Sequence, residues 1–256
     1  MKRFFKGIIT TLISTQIFSV TAFAYEKAGK LEELEYSIYK HLENRDRNFI
    51  ILYTGERIDF KDNALNCIKN AYSKDDYLER SWLEIRPVAK VTQEGIETTF
   101  DVTYLTTKEQ EEYIDRELKG ITESLINSNM SDLDKVKMIN DYIINRYDYD
   151  NTQKSIDVYS ALTSSITVCQ GYSMTAYKMF NYAGIENRII IGKIKDTPHS
   201  WNSVKIQGNW YQLDITNNDS FEKNKYFLIN DDTLILKGYI WDTNKYPKAY
   251  KKYDDA

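Results

Sequence analysis

Apolar residues recur at two spacings along this chain, and the spacings come in blocks. Leu31, Leu34, Ile38 and Leu42 fall three or four apart and predict an amphipathic helix. Residues 48–53 read as a short strand that Gly55 stops, and residues 60–72 return to helical spacing. Two longer strands follow, 81–91 and 96–105, joined around Glu94-Gly95. Ile96, Thr98, Phe100, Val102 and Tyr104 alternate cleanly, which predicts one solvated face. Pro87 cannot donate to a ladder and puts the first of these strands at an edge or a bulge. Thr107-Lys-Glu-Gln110 and Ser131-Asp-Leu-Asp134 are capping boxes. They open helices with apolar stripes Ile114, Leu118, Ile121, Leu125 and Val136, Ile139, Ile143, Tyr147. The short polar link between those helices marks a junction, giving an N-terminal α+β region over 25–127 and a second domain over 128–256. Residues 149–167 are polar and irregular, with a short helix at 158–162, and predict a surface loop able to wall a groove.

The next block carries chemistry. Tyr172, Ala176, Met179, Phe180 and Ala183 define a helix that Gly184 ends in the left-handed conformation. Cys169 stands in its first turn, where orphan N–H groups and the positive dipole end favour a thiolate. Those N–H groups could also hold the oxygen of a tetrahedral acyl intermediate, with Gly171 permitting close backbone approach. A cysteine at a helix start is equally well read as inert packing.

Gln207-Gly208 is a two-residue hairpin turn. It pairs Ile206 with Asn209, Ser203 with Gln212, Trp201 with Asp214 and His199 with Thr216, so His199 and Asp214 share one sheet face. The opposite face, with Val204, Ile206, Tyr211, Leu213 and Ile215, is the buried one. A thiol, an imidazole and a carboxylate so placed are a nucleophile, its base and the base's orienter. His41, the other histidine, reads as a surface residue near a helix C-terminus with no partner in view. Three such groups fall short of a closed zinc site, and no metal or other cofactor is expected. The aromatic tail after Asp231, with Trp241, Tyr246, Pro247 and Tyr250, reads as a strap packed on the domain before a frayed end.

Composition narrows the setting. Lys2, Arg3 and Lys6 precede a mostly apolar run ending in Ala22-Phe23-Ala24, the pattern of a cleaved leader over residues 1–24. The run is short for a membrane span, so an exported protein, secreted or at the cell surface and without stable membrane insertion, is expected. The formal charge of −4 becomes −7 without those three cations and gives nucleic acid no electrostatic footing. Two cysteines in an exported chain invite a Cys67–Cys169 disulfide. Cys67 instead shares a helical face with Ala64, Ile68 and Ala71, which suits a small buried thiol, and a nucleophilic Cys169 must stay reduced.

Cys169-Gln-Gly-Tyr172, the stretch His199-Ser-Trp-Asn202 and Asn209-Trp-Tyr-Gln-Leu-Asp-Ile-Thr216 together resemble the transglutaminase-like superfamily in its bacterial exported branch. The likeness reaches back to the helix at 135–142 with Tyr147-Asp-Tyr149, and forward to 226–232 and 241–247. It implies a papain-like α+β core, in which a cysteine-bearing helix packs on an antiparallel sheet carrying the histidine and aspartate. It assigns Cys169 as nucleophile, His199 as general base then acid, and Asp214 as the residue orienting the imidazole. Gln170 and Trp201 match motif positions and join Gly171 as candidates for substrate or oxyanion contact. Ser200 departs from the alanine common there. The implied activity is acyl transfer from an amide bond of a protein or cell-wall peptide. With water as acceptor this is a peptidase or amidase; with an amine it is a cross-linking transglutaminase. The alternative is a non-catalytic surface or adhesion module that retains the fold.

Overall fold

The computed structural model describes residues 26–219 and 225–253; the expected leader and the last residues of the tail lie outside them. The chain forms two compact units that divide between Lys108 and Glu109.

The first unit runs β1 (Glu26–Ala28), α1 (Leu31–Glu43), β2 (Asn48–Tyr53), α2 (Arg57–Tyr72), α3 (Asp76–Arg80), β3 (Trp82–Val91) and β4 (Ile96–Tyr104). Its sheet has the order β1-β2-β4-β3, so β3 with Pro87 is an edge strand, and the ladder slips between Trp82 and Glu84. The stripe Leu34, Ile38 and Leu42 packs with Cys67, Ile68 and Ala71 onto Ile51, Phe100 and Val102. Burying each large aliphatic side chain contributes about 1.5–3 kcal/mol. His41 has partners that sequence spacing does not reveal. Its ring bridges Asp46 at 2.7 Å and Glu26 at 2.8 Å, and stacks on Phe49.

The second unit contains most of α4 (Lys108–Leu125), then α5 (Asp132–Arg146), β5 (Asp148–Tyr149), α6 (Val158–Ser164), β6 (Ile166–Thr167) and α7 (Cys169–Tyr182). It continues with β7 (Asn187–Ile194), β8 (Thr197–Ile206), β9 (Asn209–Leu213), α8 (Ile215–Asn218), α9 (Asp231–Leu236) and β10 (Tyr239–Trp241). The sequence-based junction after residue 127 separates α4 from this unit, whereas the compact units keep it here. Lys178 of α7 pairs with Glu111 and Asp115 of α4, and Tyr113 packs edge-on to Tyr159 of α6. Ser131 caps α5 as the capping box requires.

The main sheet has the order β10-β7-β8-β9, antiparallel throughout. Helix α7 covers the face bearing Ser200, Asn202 and Val204, and the Asn202 amide donates to the Ser173 carbonyl at 3.1 Å. The other face is also covered, which the alternation had not implied. Ile190 and Trp201 pack there against Ile229, Leu234, Tyr239 and Tyr246 from α9, β10 and the tail. The tail is thus the strap expected: Asp231 N–H donates to the Ala249 carbonyl at 2.9 Å. Helix α7 ends at Gly184 with φ +74°, and the Ile185 N–H returns to the Phe180 carbonyl at 2.8 Å, closing the left-handed cap. Among the described residues no helix is long and apolar enough to cross a membrane, and no cluster of three or more His, Cys, Asp or Glu side chains could hold a metal ion.

Candidate active site

The hairpin register predicted around Gln207-Gly208 is the observed one as far as Asn202 opposite Leu213. There the expected scheme ends. Asp214 does not face Trp201 across a ladder, nor does Thr216 face His199, because the chain turns out of the sheet into α8. The cause is local: Asp214 is the N-cap of α8, and its Oδ1 accepts the Asn217 N–H at 3.0 Å. Leaving the sheet frees the end of β8 and points the other carboxylate oxygen at the imidazole. His199 Nε2 lies 2.6 Å from Asp214 Oδ2.

Cys169 lies close enough to the same imidazole for each group to shift the protonation of the other. Cys169 begins α7, whose N-cap Val168 supplies no side-chain acceptor and whose first turn holds no acidic residue. The first-turn N–H groups are therefore not capped from a side chain and favour a negative sulfur. Both cysteines are free; Cys67 is buried and Cys169 half-buried.

The three groups set one another's protonation. Burial alone pushes the Cys169 thiol up, but the bond and charge of His199, with the N–H and hydroxyl of Ser200, outweigh it and hold the thiol below its usual range. Burial would lower His199; the charge and hydrogen bond of Asp214, helped by Cys169, push it up to about 10. Burial would raise Asp214, whose side chain is 0% exposed, and His199, Tyr239 and Asn217 together hold it below the usual carboxylate range. Each of the three shifts favours the charged form of its group.

Two residues that the sequence reading did not single out complete this arrangement. The Tyr239 hydroxyl donates to Asp214 Oδ2 at 2.6 Å, and the Asn217 amide donates to the same oxygen at 2.7 Å and to the Tyr239 hydroxyl at 2.7 Å. Asn217 was detectable, since a polar residue three positions after an aspartate is an N-terminal helix pattern. Tyr239 lies on a three-residue strand and carries no periodic signal.

The remaining candidates take other places. Trp201 is 1% exposed, stacks near the His199 ring with centroids 6.0 Å apart, and donates its indole N–H to Gln212 at 2.8 Å. It packs beside the imidazole from within the core. Gln170 donates its amide to the Ile156 carbonyl at 3.0 Å, pinning the 150–157 loop to the start of α7. Asp150 organises that loop by accepting from the N–H groups of Thr152, Lys154 and Ser155. At Gly171 the close neighbour is the Thr167 side chain. A Cβ there would meet the Thr167 hydroxyl at 1.9 Å, so the missing side chain lets β6 lie against the first turn of α7. Tyr149, 42% exposed, pairs with Thr167 on the neighbouring strand. Burial raises its phenol first, followed by the charges of Cys169, Asp150 and Asp214.

Residues 119–215 match the model of a family described as the transglutaminase-like superfamily. Kyphoscoliosis peptidase of Homo sapiens is 20% identical over a match covering 54% of this chain and 26% of that protein. The Mus musculus protein of the same name gives the same identity and coverage. The match therefore spans about a quarter of the length of these curated relatives. A solved structure described as a TGase is 18% identical, covers 89% of this chain and 69% of its own, and superposes with a TM-score of 0.38.

Proposed function

We propose, from the match of residues 119–215 to the transglutaminase-like superfamily, that the protein is an exported thiol enzyme acting on amide bonds of proteins or cell-wall peptides. The observation that carries this reading is His199 held 2.6 Å from a fully buried Asp214 carboxylate, with the Cys169 thiol beside the same imidazole and lowered by it. An imidazole oriented by a buried carboxylate beside a half-buried thiol favours it over a non-catalytic surface module, for which no such grouping is required. The leader pattern at residues 1–24 supports export.

In the first half-reaction the Cys169 thiolate attacks the amide carbonyl, forming a C–S bond and an oxyanion that the first-turn N–H groups of α7 are placed to receive. The C–N bond then breaks, and the amine or ammonia leaves with the proton held by the His199 imidazolium. In the second half, neutral His199 takes a proton from water or an incoming amine as it attacks the thioester carbonyl. The C–S bond breaks and the sulfur departs as thiolate, restoring the ion pair. Asp214 keeps the imidazole in one orientation throughout and stabilises its charged form. Hydrolysis is the favoured outcome, because water needs no second binding site.

Two measurements test this. Iodoacetamide should alkylate Cys169 faster than Cys67, and His199→Ala should slow the Cys169 reaction; equal rates at the two cysteines would overturn the assignment. Incubation with a fluorescent primary amine and candidate cell-wall peptides then separates transfer, read as label incorporation, from hydrolysis, read as shortened peptide or released ammonia.

A further inference from the structure

His199 and Trp201 lie two residues apart on β8, and their rings stack at 18° with centroids 6.0 Å apart. The imidazole is tied to Asp214 through one nitrogen, and the Asn217 amide stands 3.5 Å from the same atom. A tie at one atom leaves the ring able to tilt about it. A flat neighbour lying along the ring removes that freedom, provided the neighbour is itself held.

The indole is held on several sides. Tyr239 and Trp241 stand edge-on to it at 5.1 and 5.6 Å, and its single polar atom donates to Gln212 Oε1 at 2.8 Å. Gln212 is 0% exposed on β9, and its backbone exchanges hydrogen bonds with Ile229 at 2.8 and 3.0 Å. Its amide nitrogen donates to Asp231 Oδ1 at 2.8 Å, and the same oxygen accepts the Ala249 N–H at 3.2 Å. One buried amide therefore meets a donor at its oxygen and a carboxylate at its nitrogen. Turned over, it would set N–H against N–H and oxygen against oxygen, so a single orientation satisfies both neighbours. An apolar residue of the same size would leave the buried indole N–H without its acceptor.

Resting on the thiol-enzyme reading, we infer that Gln212 is a positioning residue for acyl transfer: its amide, anchored on Asp231, sets the Trp201 indole, and the indole sets the plane in which His199 meets Asp214. The anchor takes in the C-terminal strap, since the Asp231 N–H also donates to the Ala249 carbonyl. Gln212 thus acts on the base only through the tryptophan, from the side of the sheet that α9 and the tail cover.

The test is the pH profile of Cys169 alkylation by iodoacetamide, resolved by peptide mass spectrometry, with a denaturant titration of each variant. Gln212→Met keeps the volume and removes both side-chain hydrogen bonds. A tilted imidazole makes a weaker charged hydrogen bond to Asp214 and supports the thiolate less. The acid limb should therefore move upward by about one pH unit, a tenfold change in thiolate at a given acid pH. Asp231→Ala frees the far end of the amide and should move the limb in the same direction by less. Asp231→Asn keeps an acceptor oxygen and should move it less than Asp231→Ala does. Asp214, Tyr239 and Tyr149, the titratable neighbours of the imidazole and the sulfur, are the same in every variant. A glutamine that only fills space would lower the denaturation midpoint and leave the profile in place. Superimposed profiles of wild type and Gln212→Met would overturn the inference while leaving the enzyme reading intact. Should Gln212→Met fail to fold, superimposed profiles of Asp231→Ala and Asp231→Asn would do the same. A wild-type Cys169 that titrates as an ordinary thiol would instead overturn the reading on which the inference rests.

Discussion

Replacing Gly171 by alanine puts the assembly of the site under a single, measurable strain. The added Cβ would lie 1.9 Å from Thr167 Oγ1, 2.8 Å from its Cβ and 2.9 Å from its Cγ2. Ordinary van der Waals contact is about 3.4–4 Å, so the first turn of α7 and β6 must part by roughly 1–1.5 Å, because Thr167 is buried and anchored. Its hydroxyl donates to the Ser155 carbonyl at 2.8 Å, so the side chain cannot simply rotate away without leaving that carbonyl short of a partner. Overpacking of this kind costs about 1–3 kcal/mol. The larger effect should be on chemistry, since Cys169 lies two residues from the insertion and a displacement of about 1 Å at a reacting group costs up to about a hundredfold. Chemical denaturation should report the loss of stability, and iodoacetamide alkylation of Cys169 should slow by about ten- to a hundredfold. Thr167→Ala in the same chain removes the two nearest of the clashing atoms other than Cβ and should restore part of both, a positive coupling in a double-mutant cycle. Wild-type denaturation and alkylation in Gly171→Ala alone would refute the claim that this contact fixes the nucleophile.

Other tests probe the charges. Asp214→Asn removes the carboxylate that overrides burial at His199; the imidazole should lose its proton more readily, and Cys169 alkylation near neutral pH should fall at least about tenfold, with no fall counting against the triad. The wild-type stability profile should bend on the alkaline side. Raised to about 10, His199 contributes stability fully below its unfolded value near 6.5 and loses it as pH rises through about 10. Cys169, lowered, adds stability up to the unfolded thiol range near 8.5, so the two offset until there and the net decline lies between about 8.5 and 10. Denaturation midpoints that stay level across that window would argue against the ion pair. Tyr239→Phe deletes a buried donor to a charged oxygen and should cost about 1.5–3 kcal/mol by denaturant titration; an unchanged midpoint would mean that Asn217 alone suffices.

What the chain reveals before folding depends on whether a residue's role is local. The α7 helix, its Gly184 end, the Ser131 cap and the hairpin register to Leu213 all rest on spacing or turn chemistry within a few residues, and each is present. Strand β7 was missed because Ile189, Ile190 and Ile191 sit between two covered faces, so the alternation that marks a half-exposed strand is missing. The exit of Asp214 into α8 was misread as continued strand, although the aspartate and Asn217 spell a cap. Tyr239 and Thr167 act through contacts formed only in three dimensions, and nothing in their neighbourhoods announces the partner. Gly171 was marked as special for the right reason, a close approach, but the approaching group is Thr167.

The partners that converge on Asp214 come from β8, α8 and β10, the last strand among the described residues, while the thiol they serve begins α7. The surroundings of the sulfur are therefore a property of the finished unit and of no fragment of it. A nascent or half-folded chain carries a sulfur of ordinary acidity, indifferent to the amides crowded around it. When β10 docks, the Asp214 carboxylate behind the imidazole gains the Tyr239 hydroxyl as a donor. Completion of the fold acts as a built-in safety catch, and the rate of thiol alkylation is a direct readout of the fraction of molecules that have released it.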